Sequence, residues 1–325
     1  MVFVCLLALP HTARAADPLY EVTVSKFLMG TSVETTARHP DINACRKGLQ
    51  LAYQEMERVE SLLSYHRPTS DVALINASAG LSPVRVSQET FDIDGRARAY
   101  AERLDGLFDV SVGALSERWG FSGNTSATVP SPEEIADLLS VTGFRKIVLN
   151  PVDTTVFLEA TGMKIDLGGI AKGYAIDQGV AVLKGNGIDH FFLNAGGDIH
   201  VAGEKARDRP WRVGIRHPRN PEELITSFNL QDHAVATSGD YERFKIIDGQ
   251  RYHHVLDPRS GYPGPLCQSV TVLAPTAEEA DVLAMYLFLV ARPSPKVPYP
   301  HTIVLADGSV VHGGFPPSAD LQFQK

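Results

Sequence analysis

Apolar residues recur at intervals of three and four between positions 40 and 63, which is the spacing of a buried helix face. The recurring residues are Ile42, Cys45, Leu49, Ala52, Met56, Val59 and Leu63. The pattern predicts a long amphipathic helix, which ends before a polar turn closed by Pro68. Ser87 is then placed to cap a second helix, which we expect to run to about Leu104.

Short stretches that alternate between apolar and polar residues predict β-strands. They are residues 20–29, 31–36, 146–149, 155–158, 211–216 and 269–273. Residues 191–200 predict a strand broken by a glycine pair, and residues 234–244 predict a strand that meets a short helix. Asp248-Gly249 and Asp307-Gly308 are typical hairpin turns. Strands and helices are mixed without strict βαβ alternation, which predicts an α+β fold.

Two later helices carry start signals in their sequence. Ser131, Pro132 and Glu134 combine an N-cap residue, a proline at the first helical position and an acid at the third. This arrangement predicts a capping box. Thr276 and Glu279 predict a second capping box at the start of a helix near the C-terminal end.

The chain has 325 residues, of which 44% are hydrophobic and 21% are charged, a composition typical of a globular protein. This length allows one large domain or two halves packed about a cleft. The formal net charge of −8 argues against a general nucleic-acid binder. Small molecules or proteins are therefore the expected partners.

The first residues have the pattern of a secretory signal. Residues 2–10 are apolar, and Ala13-Arg14-Ala15 matches an A-x-A cleavage site, so we expect cleavage after about Ala15 and a mature domain over 16–325. The apolar run is too short to span a bilayer, and a buried first strand is the alternative interpretation. Cys5 lacks the small-residue pattern of a lipidated cysteine. The signal predicts an exported, periplasmic protein, either free or at the membrane surface.

Two cysteines, Cys45 and Cys267, remain after removal of such a signal. They could pair in an oxidising compartment, although two cysteines in so long a chain do not make a disulfide scaffold. Cys45 lies on the apolar face of the first predicted helix, which favours a buried thiol. Whether the two cysteines pair stays open.

The stretch from Met163 to Asp177 begins as a strand-like run and ends as a helix. At its junction lie Asp166, the pair Gly168-Gly169, and Lys172. A glycine turn that opens a helix presents free backbone N–H groups and the positive end of the helix dipole, which suits a phosphate. Neither of the two common nucleotide-binding fingerprints is present. The turn either binds an anion or closes a strand–helix corner, and the stretch alone does not decide between them.

Other residue types with useful chemistry lie further along the chain. Glycine turns around Gly196 and Gly239 suggest close backbone approaches to a ligand, although each could be an ordinary turn. Asp281 lies early in the last predicted helix and is the candidate ligand for a hard cation such as Mg²⁺, which takes one or two carboxylates. The alternative is that Asp281 only stabilises the helix N-terminus.

The loop around His253-His254 and Asp257-Pro258-Arg259 brings imidazole, carboxylate and guanidinium together in sequence. Histidine is the usual general base near neutral pH, and arginine suits phosphate. The sequence has no His-x-x-x-His or cysteine pair typical of zinc sites and no G-x-S-x-G elbow of a serine hydrolase.

Taken together, these stretches resemble the ApbE family, the FAD:protein FMN transferases. Eight blocks occur in the family's order and cover nearly all of the predicted mature chain. They are Met29-Gly-Thr31; Ser64-Tyr65 with the polar run to Asn76; Gly106-Leu-Phe-Asp109 through Trp119-Gly-Phe121; Asp166-Leu-Gly-Gly-Ile-Ala-Lys-Gly-Tyr174; Asn194-Ala-Gly-Gly-Asp198; Ala234-Val-Ala-Thr-Ser-Gly-Asp-Tyr241; His254-Val-Leu-Asp-Pro-Arg-Ser-Gly-Tyr-Pro263; and Ala274-Pro-Thr276 to Asp281.

The resemblance implies two mixed α/β halves with FAD in a cleft between them and Mg²⁺ at its pyrophosphate. It implies that His254 is catalytic and that the metal is held by Gly169, Asp281 and the position of Met285. The residues that it implies for FAD binding are Met29, Tyr65, Leu107, Phe108, Asp109, Asp166, Lys172 and Val255. Many relatives have threonine at the position of Met285, and a thioether is a poor Mg²⁺ ligand, so we expect weaker metal binding unless the main chain serves.

The reaction that the resemblance implies is phosphoryl transfer. A Ser or Thr hydroxyl of an exported acceptor protein attacks the FMN-side phosphorus of FAD, and AMP leaves. Two alternatives remain open at this point. One is an Mg²⁺-dependent FAD pyrophosphatase that releases FMN and AMP, and the other is a non-catalytic FAD-binding protein with a degenerate metal site.

Overall fold

The computed structural model describes residues 19–121, 128–206, 209–314 and 322–323. The predicted signal peptide, residues 1–15, and the predicted start of the mature domain at residue 16 lie outside the described residues. Within the described ranges no helix is both long enough and apolar enough to cross a membrane.

Helices and β-strands are mixed along the chain, as the α+β prediction requires. The helices are α1 (Ile42–Leu63), α2 (Asp71–Ala77), α3 (Gln88–Arg103), α4 (Gly113–Trp119), α5 (Pro132–Ser140), α6 (Gly168–Gly185) and α7 (Ala277–Val290), with a 3-10 turn at Phe144–Lys146. The strands are β1 (Tyr20–Leu28), β2 (Thr31–His39), β3 (Val84–Arg85), β4 (Ile147–Asn150), β5 (Thr155–Leu158), β6 (His190–Ala195), β7 (Asp198–Ala202), β8 (Trp211–Arg216), β9 (Leu224–Leu230), β10 (His233–Gly239), β11 (Phe244–Ile247), β12 (Gln250–His253), β13 (Cys267–Ala274), β14 (His301–Leu305), β15 (Val310–Gly313) and β16 (Gln322–Phe323).

An eight-stranded sheet forms the centre of the molecule, in the order β1-β2-β6-β7-β10-β13-β14-β15. Every neighbouring pair in it is antiparallel. Smaller sheets are β11-β12, β16-β9-β8 and β3-β5-β4. Residues predicted as one strand broken by glycines form the hairpin β6–β7, which turns at Gly196-Gly197 with φ of 64° and 106°. These positive φ values explain the glycine pair.

Three helices pack side by side and place the site residues. α6 packs between α1 and α7, while α7 also packs on β10 and β13. The contact between α6 and α7 is unusually close, because a Cβ on Gly173 would overlap the backbone carbonyl of Ala277. The carboxylate of Asp177 adds a second link, since it accepts hydrogen bonds from the N–H groups of Ala277 (2.8 Å) and Glu278 (2.9 Å) at the start of α7. The first turn of α7 is thereby held against the middle of α6.

Several local predictions are confirmed. Ser131 accepts a hydrogen bond from Glu134 N, and the Glu134 side chain accepts one from Ser131 N, so the first capping box is complete. Cys45 is a buried thiol, as predicted; Cys267 is also buried and free, so the pairing that the sequence left open is not formed.

Other local predictions are wrong. Thr276 caps α7, but the Glu279 side chain accepts a hydrogen bond from the Tyr299 hydroxyl, so no second capping box is completed. Residues 240–243 form a turn and no helix. The strand-like run before α6 is reduced to a single β-bridge at Lys164.

Candidate active site

A cavity of about 610 Å³ opens between the turn that joins β1 and β2, the C-terminal end of α1, the first turns of α6 and the face of α7 that carries Asp281 and Met285. Its size lies within the range of small-molecule sites. Nearly all the residues that the sequence singled out line this one cavity. They are Met29, Tyr65, Leu107, Phe108, Asp109, Asp166, Gly169, Lys172, His254, Asp281 and Met285. Val255 is the exception, because its side chain is fully buried and does not line the cavity.

The start of α6 forms one wall of the cavity. Gly168 is the first helical residue, and the side chain of the N-cap residue Leu167 forms no capping hydrogen bond. Asp166 Oδ1 accepts a hydrogen bond from Gly168 N (2.9 Å), which fixes the entry to the helix. A Cβ on Gly169 would collide with the side chain of Met285, so this position requires glycine while the methionine keeps its place. Backbone N–H groups at such a helix start favour an anion.

Lys172 lies one turn into α6, and its ammonium forms an ion pair with Asp198 (Nζ–Oδ2 2.6 Å). Burial alone would lower the pKa of this ammonium, but the carboxylates of Asp198, Asp281 and Glu242 outweigh burial and raise the pKa well above its usual value. Lys172 therefore stays charged. Asp198, its partner, is the first residue of β7 and is only 1% exposed.

Asp281 is a buried carboxylate with little compensation from the protein. It is 7% exposed, and its hydrogen bond from Gly173 N is long, at 3.4 Å. Burial and the neighbouring charge of Asp198 raise its pKa well above the usual range, while Lys172 opposes that rise. A carboxylate in this situation fits a divalent cation, which would compensate the buried negative charge.

The donor set around Asp281 suits Mg²⁺ better than a metal that needs a cage of protein side chains. Among the described residues no group of three or more His, Cys, Asp and Glu side chains is arranged to hold a metal. Mg²⁺ commonly takes one or two carboxylates and completes its octahedron with water and substrate phosphate. In a regular helix the Gly169 carbonyl faces Gly173 N, the same group that contacts Asp281, so both oxygens lie beside the first turns of α6.

His254 lines the cavity immediately after β12. Burial and then the charge of Arg243 lower the pKa of its imidazole to about 3, so the ring is neutral at physiological pH. Its backbone N–H donates to the carbonyl oxygen of Arg243 (3.0 Å). Its Nδ1 is buried and has no hydrogen-bond partner among the residues that the structure describes. The imidazole is thus a neutral group with an unused ring nitrogen.

The remaining lining residues shape the cavity. The Tyr65 hydroxyl donates to Glu117 Oε2 (3.3 Å), and burial raises the pKa of this phenol. The carboxylate of Asp109 accepts hydrogen bonds from Ser111 N (2.8 Å) and Phe144 N (2.9 Å). Asp109 thus holds its own loop in place at the wall of the cavity. Met29 lies in the turn between β1 and β2 with a φ of 52°, a left-handed conformation that is uncommon outside glycine.

Three charged residues of the site had no assigned role from the sequence. Asp198 and Arg243 lie in or beside glycine-rich blocks of the sequence, and Glu242 precedes Arg243 in the turn after β10. Glu242 and Arg243 line the cavity. Desolvation of its carboxylate by the surrounding protein raises the pKa of Glu242 to about 7. The sequence signal that could have identified Glu242 and Arg243 is the group of charged residues directly after the glycine turn at Gly239.

The chain is similar to known proteins of one family. The model of the ApbE family matches residues 29–295, a range that contains every site residue described above. A FAD:protein FMN transferase of Klebsiella pneumoniae is 36% identical over 240 residues, which are 73% of this chain and 73% of that protein. Another, of Treponema pallidum, is 32% identical over 307 residues, 89% of this chain and 84% of that protein. The crystal structure of the ApbE protein of Thermotoga maritima has a TM-score of 0.83 and 37% identity, and the match covers 90% of this chain and 96% of that one.

Proposed function

This chain belongs to the ApbE family, and from that membership we propose that it transfers FMN from FAD to a Ser or Thr hydroxyl of an exported acceptor protein, with Mg²⁺ as cofactor and AMP as the second product. The chain is an enzyme of the transferase class, as its relatives are FAD:protein FMN transferases. The observation that supports the finer proposal is the convergence of Lys172, Asp281 and His254 on one cavity beside the start of α6.

Each part of the cavity has a role in the proposed reaction. The positive end of the helix dipole at the start of α6 and the ammonium of Lys172, which stays charged beside Asp198, favour the pyrophosphate of FAD. The loop around Phe108 and the ring of Tyr65 supply apolar and aromatic surface for the flavin and adenosine rings. Met29 and Asp166 border the same space, and we propose all of these residues as FAD contacts.

Val255 remains a proposed FAD contact of a different kind. Its side chain is fully buried, and its carbonyl oxygen accepts a hydrogen bond from Gly264 N (3.0 Å). A contact with FAD would have to come from its main chain, next to His254.

The chemical step is an exchange of one P–O bond for another. The acceptor oxygen forms a bond to the FMN-side phosphorus, the bond from that phosphorus to the AMP oxygen breaks, and the hydroxyl proton passes to the imidazole of His254. A neutral imidazole can accept this proton, whereas a protonated one cannot. Negative phosphate oxygens beside the ring would raise the low pKa of His254 once FAD is bound, which favours the proton transfer.

Asp281 and the main-chain oxygen of Gly169 are the proposed metal ligands, and Met285 borders the position with its thioether. The chemistry that Mg²⁺ supplies when bound is neutralisation of charge on the pyrophosphate and on the leaving oxygen. The poor compensation of Asp281 by the protein supports this assignment.

Incubation with FAD, Mg²⁺ and a candidate acceptor protein tests the proposal. Flavin fluorescence that stays on the acceptor through denaturing electrophoresis, together with release of AMP, is the expected result. Free FMN and AMP without labelled acceptor would instead indicate a pyrophosphatase. Intact FAD after prolonged incubation with several acceptors would contradict both enzymatic functions.

Export to the periplasm is a further part of the proposal. It rests on the signal-like pattern of residues 1–15, which the structure does not describe. Fractionation of cells that express the full chain would test it, and retention of the protein in the cytoplasm would contradict it.

A further inference from the structure

Arg243 differs from the other cations that line the cavity, because it has no ion-pair partner among the described residues. Three of the described residues that line it are Arg or Lys, and two of these are already neutralised. Lys172 is paired with Asp198 (2.6 Å), and Arg67 is paired with Glu60 (3.0 Å). The guanidinium of Arg243 forms no hydrogen bond or ion pair with any residue that the structure describes, and its side chain is exposed at the cavity.

The backbone holds Arg243 next to the catalytic candidate. The carbonyl oxygen of Arg243 accepts the backbone hydrogen bond of His254 (3.0 Å), which continues the register of the hairpin β11–β12 by one more pair. On the other side, Nη2 of Arg243 lies 3.9 Å from where a Cβ on Gly30 would be. The guanidinium thus extends from the root of the hairpin to the turn between β1 and β2.

Charge in the cavity also indicates what this guanidinium would bind. Asp166, Glu242 and Asp281 line the cavity. The charge of Arg243 acts on the neighbouring Glu242, but no carboxylate of the described residues forms an ion pair with the guanidinium. An arginine that is exposed in a cavity and unpaired is suited to a phosphate, because its planar fork donates two parallel hydrogen bonds to phosphate oxygens. FAD has two phosphates, and the proposed attack takes place at the FMN-side phosphate beside His254. Because Arg243 is next to His254, the FMN-side phosphate is the one that we expect its guanidinium to contact.

We propose that Arg243 binds the FMN-side phosphate of the flavin nucleotide and thereby selects phosphorylated flavins over riboflavin. The inference rests on the proposed flavin transfer and adds to it a residue that contacts the transferred group. During the exchange of P–O bonds the non-bridging oxygens keep their negative charge, which the guanidinium stabilises without gaining or losing a proton. Arg243 is on this account a catalytic and specificity-determining residue.

Binding of riboflavin, FMN and FAD by Arg243→Gln and Arg243→Lys, measured by flavin fluorescence with EDTA present, tests the proposal. The Gln variant should bind FMN and FAD about tenfold more weakly and riboflavin as before, with the Lys variant between it and the native protein. Arg251→Gln is the matched control, because Arg251 lies on the same hairpin, stacks on Phe244 (4.0 Å) and does not line the cavity. Its affinities should be unchanged.

Steady-state kinetics give a second measurement. With FAD as the varied substrate, Arg243→Gln should lower kcat/KM by about 100-fold and lower kcat as well, because the contact acts on the transition state. Two results would overturn the role of Arg243 and leave the proposed transfer intact, provided that the native enzyme is active. One is an equal loss of riboflavin and FMN binding in Arg243→Gln, and the other is unchanged FMN binding in that variant. A native protein that binds no flavin would overturn the proposed function together with this inference.

Discussion

The thioether of Met285 fills the space above Gly169, so that a Cβ on Gly169 would collide with Met285 Sδ. One residue is at the first turn of α6 and the other is on α7, one turn after Asp281. The methionine lies beside the proposed metal ligands, at the position where the family resemblance implies a threonine. If Mg²⁺ binds here as proposed, the lack of a side-chain oxygen at position 285 should weaken its binding.

Replacement of Met285 by threonine should strengthen Mg²⁺ binding, because a hydroxyl is a hard oxygen donor and a thioether is not. We expect the Mg²⁺ concentration that gives half-maximal transfer to fall by about tenfold, which is about 1.4 kcal/mol of binding free energy. Met285→Val has the shape of threonine without the hydroxyl and is the control. Equal Mg²⁺ requirements for the Thr and Val variants would show that the side chain at 285 does not contact the metal.

Gly173 is the second position at which α6 and α7 depend on a missing side chain. A Cβ on Gly173 would overlap the carbonyl of Ala277, so Gly173→Ala must push the two helices apart. We expect a loss of about 1–3 kcal/mol in the free energy of unfolding, as for other overpacked cores, and a larger loss of transfer activity. Gly185→Ala, in the same helix with open space around it, should be neutral or stabilising. Urea denaturation of both variants would distinguish them, and equal stabilities would contradict the close contact.

Local sequence signals predicted the local structure of this chain well. The cap at Ser131 is correct because its partner, Glu134, lies within the same helical turn. The equivalent signal at Thr276 is only half realised, because Glu279 finds Tyr299 through tertiary packing. The strand order of the main sheet, in which β2 pairs with β6, depends on contacts distant in sequence that no local pattern encodes.

The candidate site shows the same division. The glycine turn at Gly168 and the carboxylate of Asp281 could be selected from the sequence as candidate anion and metal sites, and both line the cavity. Binding of an anion or a metal there stays a prediction. Spacing could not show that Lys172 pairs with Asp198 while Arg243 has no ion-pair partner among the residues that the structure describes. Those pairings follow from how α6, β7 and the turn after β10 pack together. Charge type could be predicted from the sequence, and charge pairing could not.

His254 should be essential for transfer and dispensable for FAD binding. His254→Ala removes the proposed proton acceptor and leaves the walls of the cavity in place, so we expect a fall in kcat of about 10²–10⁴ with little change in FAD affinity. His253→Gln is the matched control, because His253 does not line the cavity and its Nε2 contact with Gly264 O (2.9 Å) can be made by an amide. Transfer at the native rate in His254→Ala would remove this residue from the mechanism.

The protonation state of His254 can be observed directly. Burial lowers the pKa of its imidazole to about 3, so nitrogen-15 NMR of the free protein should show a neutral ring at pH 5. Because the unfolded chain takes up this proton below about pH 6.5 and the folded chain does not, His254 should destabilise the fold as the pH falls below that value. A titration midpoint near 6.5 in the free protein would contradict the buried, neutral ring.

Asp94 gives the fold a pH dependence of the opposite sign. Its carboxylate is buried in α3, has no hydrogen-bond partner among the described residues, and has a pKa raised to about 8 by burial and by the charge of Asp71. The folded chain therefore holds a proton that the unfolded chain releases near pH 4, so this contribution to stability declines as the pH rises from about 4 to about 8. Asp94→Asn has no such proton, and its stability relative to the native protein should rise by about 3 kcal/mol between pH 5.5 and pH 8. Asp92→Asn, exposed on the same helix, should show no such trend in urea denaturation, and parallel pH profiles for Asp94→Asn and the native protein would show that Asp94 is ionised in the fold.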